Sequence, residues 1–237
     1  MHKILFEIGP LTVYSYGTFI ALGYLTATIL VLRGCPRYGF PKDKMWTLLT
    51  LILIFGLIGA RLLNVILKFK FYMEAPLSMI FLHRGGLAIQ GGIVGGIGIS
   101  IFYLFKNRLS VWKTGDLILQ NLPLGQAIGR IGCYLNGCCF GRWGLPTQLF
   151  MSAGFFITFI ILKYLAKKRP SFDGSVFISY FLIYPAVRFF IDFLRGDLRP
   201  VFMGLTESQY ISLLFFIAAF FIYILKKRRH NFQKERS

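Results

Sequence analysis

The sequence predicts an all-α fold: a polytopic integral membrane bundle of about seven transmembrane helices, N-terminus outside and C-terminus in the cytoplasm. Three observations predict it. Of 237 residues, 56% are hydrophobic and 15% charged, too greasy a balance for a soluble domain. Apolar runs near the length that crosses roughly 30 Å of hydrocarbon recur along the whole chain. The 27 Lys and Arg residues, which leave a formal net charge of +18, cluster in alternate connecting segments. In a soluble chain such a charge would point to nucleic acid; sorted by side of a membrane, it calls for none.

The first span is Val13–Leu32. The segment Met1–Leu11 before it has no long apolar region ahead of a small-residue cleavage site, so no removable signal peptide is expected. Met45–Leu67 and Gly86–Phe105 follow as clear spans. The fourth, Asp116–Tyr134, is the weakest, because Pro123, several glycines and Arg130 interrupt it. A broken or re-entrant helix there needs a cavity to line or protein to pack on. Gln148–Leu165, Val176–Leu194 and Tyr210–Leu225 complete the set. Odd-numbered loops and the tail hold 17 of the 27 basic residues, which places the tail in the cytoplasm; seven spans then put the N-terminus outside. Short loops and the lack of repeats make residues 1–237 a single transmembrane domain, with 226–237 as a basic tail. Its run Lys226–Arg229 reads as a solvated anchor at anionic headgroups.

Charges inside the spans cost at least about 2.5–3.5 kcal/mol each at mid-depth, so each needs a partner or a purpose. Five stand out: Arg61, Arg130, Arg188, Asp192 and Arg195. Tyr184, Arg188, Asp192 and Arg195 fall on one helical stripe of an otherwise apolar segment. Asp192 cannot fully neutralise both arginines, which leaves positive charge for an anion, and a phosphate suits the planar guanidinium fork. The alternative is an internal Arg–Asp bridge locking two helices. Arg61 follows Gly56-Leu57-Ile58-Gly59-Ala60, a close-packing surface, and either packs there or holds a headgroup or loop carbonyls.

Six glycines lie within twelve residues at Gly85–Gly96, and they strip side chains from the start of a helix, leaving Gln90 as the one projecting amide. Gly125 through Arg142 combines glycine spacing with Arg130 and Asn136 but lacks the P-loop pattern and its strand-to-helix setting. Cys35, Cys133, Cys138 and Cys139 form no C-x-x-C pair and have no histidine at ligand spacing, so no metal is expected. They are small apolar filling, or, for the three near the predicted outer face, disulfide partners. Of His2, His83 and His230, only His83 lies near the glycine-rich stretch, as a conceivable proton acceptor.

Further segments occur in a recognisable order: Ile8-Gly9-Pro10-Leu11 with Tyr16-Gly17, Gly59-Ala60-Arg61-Leu62, and Gly86-Leu87-Ala88-Ile89-Gln90-Gly91-Gly92. Leu122 to Gly132 with Asn136-Gly137 and Gly141-Arg142 follows, then Pro146-Thr147-Gln148-Leu149, Arg188 through Arg195, and Leu205-Thr206 with Ser208-Gln209. Over almost its entire length the chain resembles the bacterial prolipoprotein diacylglyceryl transferases. The resemblance implies a multi-pass enzyme of the bacterial cytoplasmic (inner) membrane. It would move the diacylglyceryl group of phosphatidylglycerol to the lipobox cysteine thiol of a preprolipoprotein, without cofactor or metal, releasing glycerol phosphate. By the same resemblance Arg130, Arg188, Gln90 and Tyr16 are the catalytic candidates, and Arg61, Asn136, Gly141, Tyr184, Asp192 and Arg195 the headgroup-binding ones.

The chain departs from the family pattern where histidine is usual: Gln90 stands at one such position and Leu145 at another. Cys133 and Cys138 replace an asparagine and a glutamate of the signature. Glutamine takes no proton at neutral pH. A thiol titrates near about 8.5 and lower beside guanidinium, so such a site can form thiolate without a dedicated base; His83 is the other option. Two rivals stay open: a paralogue using another acceptor or lipid, and a non-catalytic carrier of anionic lipid.

Overall fold

All six clear apolar segments are helices in the computed structural model, which describes residues 4–8, 11–74, 86–168, 172–196, 201–202 and 204–235. His2 and His83, the latter the suggested proton acceptor, lie outside the described residues. Strands β1 (Ile4–Ile8) and β2 (Leu11–Tyr14) come first, antiparallel with Ile4 opposite Tyr14 and Ile8 opposite Leu11. Sequence reading placed the first span from Val13 and no strand before it. Yet Ile4, Phe6, Val13 and Tyr14 are strand formers flanking Gly9-Pro10, a turn-forming pair.

The helices are α1 (Ser15–Tyr38), α2 (Lys42–Leu67), α3 (Phe69–Glu74), α4 (Ile89–Lys106), α5 (Val111–Leu119), α6 (Leu122–Asn136), α7 (Thr147–Lys167), α8 (Ser175–Asp192) and α9 (Glu207–Glu235). A short hairpin, β3 (Val201–Phe202) with β4 (Leu205–Thr206), leads into α9. Among the described residues α1, α2, α4, α7, α8 and α9 are long and apolar enough to cross a bilayer, so the chain is a multi-pass, all-α membrane protein. Large side chains such as Val94, Phe105 and Leu214 are about 70% exposed, as lipid-facing residues are.

The weak fourth segment is two helices rather than one. Asn121, fully buried, folds its Nδ2 back onto the Leu117 carbonyl at 2.8 Å, and Pro123 opens α6. Proline has no N–H to continue the α5 ladder and its ring clashes with the preceding turn, so the helix restarts there. With 9 and 15 residues, α5 and α6 are about 13 and 22 Å long, each too short to cross alone.

The chain divides into two compact units, Cys35–Val111 and Met1–Gly34 with Trp112–Ser237. Within the first, α2 and α4 meet backbone to backbone. A Cβ on Gly59 or on Gly91 would overlap the carbonyl of the other, and one on Gly92 would sit 3.2 Å from the Gly56 carbonyl. Small residues at this spacing let helices approach where water supplies no driving force.

In the other unit, Leu162, Ala166, Val176 and Tyr180 form one buried cluster and Ala127, Met151 and Phe155 a second, with Tyr184 packed against both. The N-terminus of α8 is satisfied from a distance: Asp116 accepts from the N–H groups of Gly174 and Phe177, each at 2.7 Å. The N-terminus of α9 carries a capping box, Thr206 accepting from the Gln209 N–H at 3.4 Å and Gln209 Oε1 from the Thr206 N–H at 2.9 Å. Helix α9 continues through the basic tail. Lys227, Arg228 and Arg229 are exposed, but Lys226 lies 3.1 Å from the Trp112 ring centroid and donates to the Asp173 carbonyl at 3.0 Å, so it is folded in rather than solvated.

Candidate functional site

The site grows from the end of α6. Gly137, at φ 75°, caps that helix, and the chain turns again at Cys139, held at φ 65° in a region that non-glycine residues rarely adopt. Beyond it the backbone runs beside the segment after α8: the Arg142 N–H donates to the Leu194 carbonyl at 2.9 Å, Gly196 donates to Phe140 at 3.2 Å, and Gly141 bridges Arg195. A Cβ on Gly141 would sit 2.7 Å from the Leu194 carbonyl oxygen and 3.0 Å from that of Leu145, so only glycine permits the approach. Gly141 therefore serves by bringing Arg195 against the α6–α7 loop. The first turn of α7 fastens the same loop, Thr147 Oγ1 donating to the Cys139 carbonyl at 2.9 Å and Gln148 Nε2 to the Cys138 carbonyl at 2.5 Å.

These elements meet at a shallow, narrow cleft lined by Arg130, Cys139, Thr147, Gln148, Met151 and Arg195.

Its arginines gather around one described carboxylate. Asp192 is divided between two arginines, Oδ2 at 3.6 Å from Arg188 Nε and Oδ1 at 3.7 Å from Arg195 Nη1, and it also accepts from Ser208. Both distances exceed the about 2.7–2.9 Å of a charge-assisted hydrogen bond. Among the described residues Arg130 has no carboxylate partner, and Arg188 feels the like charge of Arg130 and Arg195. Among the described residues, Arg188 and Arg195 thus share the Asp192 carboxylate and Arg130 stands apart from it. Three of the four expected stripe residues, Tyr184, Arg188 and Asp192, share one face of α8; the helix ends at Asp192, so Arg195 reaches the same carboxylate from the segment beyond it. The internal bridge offered as the alternative is also present, but it engages only part of the charge.

Tyr184 is stacked between Phe155 and Tyr180, with ring centroids 5.3 and 5.2 Å away. Tyr16, in the first turn of α1, lies within electrostatic range of Arg130, Cys133, Cys138 and Cys139, and its Cα passes close to Gly132. Asn136 is half-buried in the last turn of α6. All four cysteines are free thiols. The Cys138 thiol bonds to the Cys133 carbonyl at 3.5 Å and contacts the thiols of Cys133 and Cys139, and Cys133 also meets Arg130. Burial pushes the Cys139 thiol above its ordinary value, reinforced by Cys138; the positive charge of Arg195 and Arg130 pulls it back without winning.

Arg61 and Gln90 belong to the other unit. Arg61 is buried, donates from Nη1 to the Gly86 carbonyl at 3.0 Å and lies 5.2 Å from the Tyr72 ring centroid, while Tyr72 donates to Asn64 at 2.9 Å. Of the readings open for Arg61, the hold on a loop carbonyl is the one observed, fixing the glycine-rich segment as α4 begins. Gln90 is exposed in the first turn of α4.

Sequence reasoning quoted Thr147, Gln148 and Ser208 within the family-like segments but gave them no place in the site. The available signal was a polar cluster opening each of two apolar helices, Thr147-Gln148 and Thr206 with Ser208-Gln209.

Comparison with known proteins decides the family. The model of the prolipoprotein diacylglyceryl transferase family matches residues 3–225. The chain belongs to the prolipoprotein diacylglyceryl transferase family. Among its relatives in that family is phosphatidylglycerol--prolipoprotein diacylglyceryl transferase 2 of Clostridium perfringens (strain 13 / Type A), 35% identical, the alignment covering 96% of each chain. The phosphatidylglycerol--prolipoprotein diacylglyceryl transferase of Clostridium tetani is 34% identical over 97% of this chain and 99% of its own. That of Clostridioides difficile is 32% identical over 99% and 100%. In this member of the transferase family, α6 and its loop, which carry the signature-like segment, also supply Arg130 and Cys139 to the cleft.

Proposed function

We propose that this chain transfers the diacylglyceryl group of phosphatidylglycerol to the cysteine thiol of a preprolipoprotein lipobox, in the bacterial cytoplasmic (inner) membrane. Family membership supports the reaction class, and the meeting of Arg130 and Arg195 in one cleft, with Arg188 sharing Asp192 with Arg195, is the observation that carries the site. Sulfur attacks the glyceryl carbon that bears the phosphate, a C–S bond forms, and the C–O bond to phosphorus breaks with its electron pair going to oxygen. The thiol proton passes to water, and glycerol phosphate departs as a phosphomonoester.

The lipid arrives as a phosphodiester monoanion and its headgroup leaves with up to one more negative charge. Groups that bind the second state more tightly than the first lower the barrier. Arg130, Arg188 and Arg195 are assigned to that charge, with Asp192 orienting two of them. Tyr184 braces Arg188 through its stack, and Tyr16 stands beside Arg130. None of these residues serves as general base in this scheme; the acceptor thiol gives its proton to water.

Purified protein given labelled phosphatidylglycerol and a lipobox peptide is expected to yield thioether-linked peptide. Arg130→Ala lowers that rate at least about a hundredfold, as loss of a donor to developing charge does, and Lys227→Ala leaves it unchanged. Lipid retained by the wild-type protein with no thioether formed would instead favour a carrier of anionic lipid. A second reading, transfer to a different acceptor, is favoured by Gln90, Leu145, Cys133 and Cys138 standing where the family pattern has other groups. It predicts product with other nucleophile-bearing peptides and none with the lipobox thiol.

A further inference from the structure

Gln148 is 1% exposed, in the first turn of α7, and its two amide ends have different fates. The end that faces the Cys138 carbonyl has to be nitrogen, because a carbonyl only accepts; the contact is 2.5 Å. The oxygen is thereby turned the other way, and among the described residues Oε1 has no hydrogen-bond partner. Gln148 lines the same cleft as Arg130 and Arg195. A buried acceptor left unmet costs about 1–3 kcal/mol, so its persistence beside two guanidiniums asks for a ligand that meets it as the cleft opens to lipid.

The charges around it restrict that ligand. An amide oxygen repels a phosphate oxygen, so a phosphate held by the guanidiniums cannot itself satisfy Gln148. The ligand must carry a donor close to its phosphate. A phosphodiester monoanion with an alkyl headgroup has none. An ammonium headgroup has one, but brings a positive charge against the Arg130 and Arg195 guanidiniums. A neutral polyol headgroup provides the donor without the charge.

We infer that Gln148 is a specificity-determining residue, its Oε1 accepting a hydrogen bond from a hydroxyl of the glycerol headgroup and so selecting phosphatidylglycerol among phosphodiester lipids. The inference rests on the proposed reaction. It adds no covalent step: the headgroup is gripped at its phosphate by arginine and at its hydroxyl by Gln148, and leaves with both contacts intact.

The test compares phosphatidylglycerol with phosphatidylpropanol, the same three-carbon headgroup without hydroxyls, in the purified full-length protein with lipobox peptide. The wild type is expected to favour phosphatidylglycerol in kcat/KM by at least about tenfold, as a site built to bond a hydroxyl rejects an analogue that lacks it. Gln148→Leu is expected to bring that ratio to about one, by slowing phosphatidylglycerol and leaving phosphatidylpropanol within about threefold of its wild-type rate. Loss of the Cys138 anchor alone slows both lipids equally, so an unchanged ratio in Gln148→Leu overturns the inference. So does a wild type indifferent to the two lipids, or an effect confined to the KM of the peptide, which would turn Gln148 toward the acceptor. If the wild type makes no thioether from either lipid, the proposed reaction fails instead. The same pair of lipids is then compared by retention in native mass spectrometry, where equal retention by wild type and Gln148→Leu sinks the inference too.

Discussion

The residues that define the cleft differ in how plainly the sequence announces them. An arginine in an apolar run is visible at once because hydrocarbon penalises it, and Arg130 and Arg195, with Arg188 beside them at Asp192, were found that way. Thr147 and Gln148 were not, because polar residues at the start of a helix are ordinary and their partners, the carbonyls of Cys139 and Cys138, belong to an irregular loop that no periodicity predicts. The cysteines were seen but not their gathering around Arg130. Their chemistry is open to measurement at Cys139, where burial outweighs the neighbouring arginines. A raised thiol pKa means less thiolate at neutral pH, and maleimide reacts with thiolate. Site-resolved maleimide labelling of the wild-type protein, followed by mass spectrometry, is expected to give a Cys139 rate still climbing above pH 9, the ordinary value from which it is raised. A rate that levels off below pH 8 would mean that the guanidiniums win over burial after all.

Single elements were legible where length and hydropathy alone decide them, and illegible where a tertiary partner does. The six clear spans follow from composition. The hairpin β1–β2 and the capping box of α9 have local signals that span-scale reading passes over. The α5–α6 break was half visible through Pro123, but the Asn121 bond that completes it was not. Least predictable of all is the start of α8. Its own N-cap residue is Gly174, at φ 94° and without a side chain, so the carboxylate that satisfies the first turn comes from Asp116, 58 residues earlier. Two charge-assisted bonds to a buried carboxylate stabilise this helix end by about 1.5–3 kcal/mol each before desolvation of Asp116 is set against them. Asp116→Ala should therefore lower the thermal unfolding midpoint in detergent by several degrees, and Asp116→Asn, which keeps one acceptor, by less. Equal midpoints for all three proteins would show that the cap contributes nothing net.

At the scale of the molecule the unresolved question is which leaflet the cleft serves, and the geometry of one unit reduces it to a single measurement. Helix α8 has 18 residues and so spans about 27 Å, with Asp116, Trp112 and Lys226 gathered at its first turn and Asp192 with its arginines at its last. The tail that supplies Lys226 and the cleft that holds the arginines therefore lie at opposite ends of a membrane-crossing helix. Basic residues accumulate on the cytoplasmic side, and Lys227, Arg228 and Arg229 remain exposed beyond Lys226, so the tail is expected in the cytoplasm and the cleft in the outer half of the bilayer. Opposite termini then require α5 and α6 together to complete a seventh crossing that neither is long enough to make alone. A fluorescent protein that folds only in the cytoplasm, fused after Ser237, should be bright, and a reporter active only after export, fused at the same point, should be silent. The reverse pattern would turn the arginines toward the cytoplasmic leaflet, and an N-terminal tag protected from externally added protease alongside a bright C-terminal fusion would show that α5 and α6 do not cross.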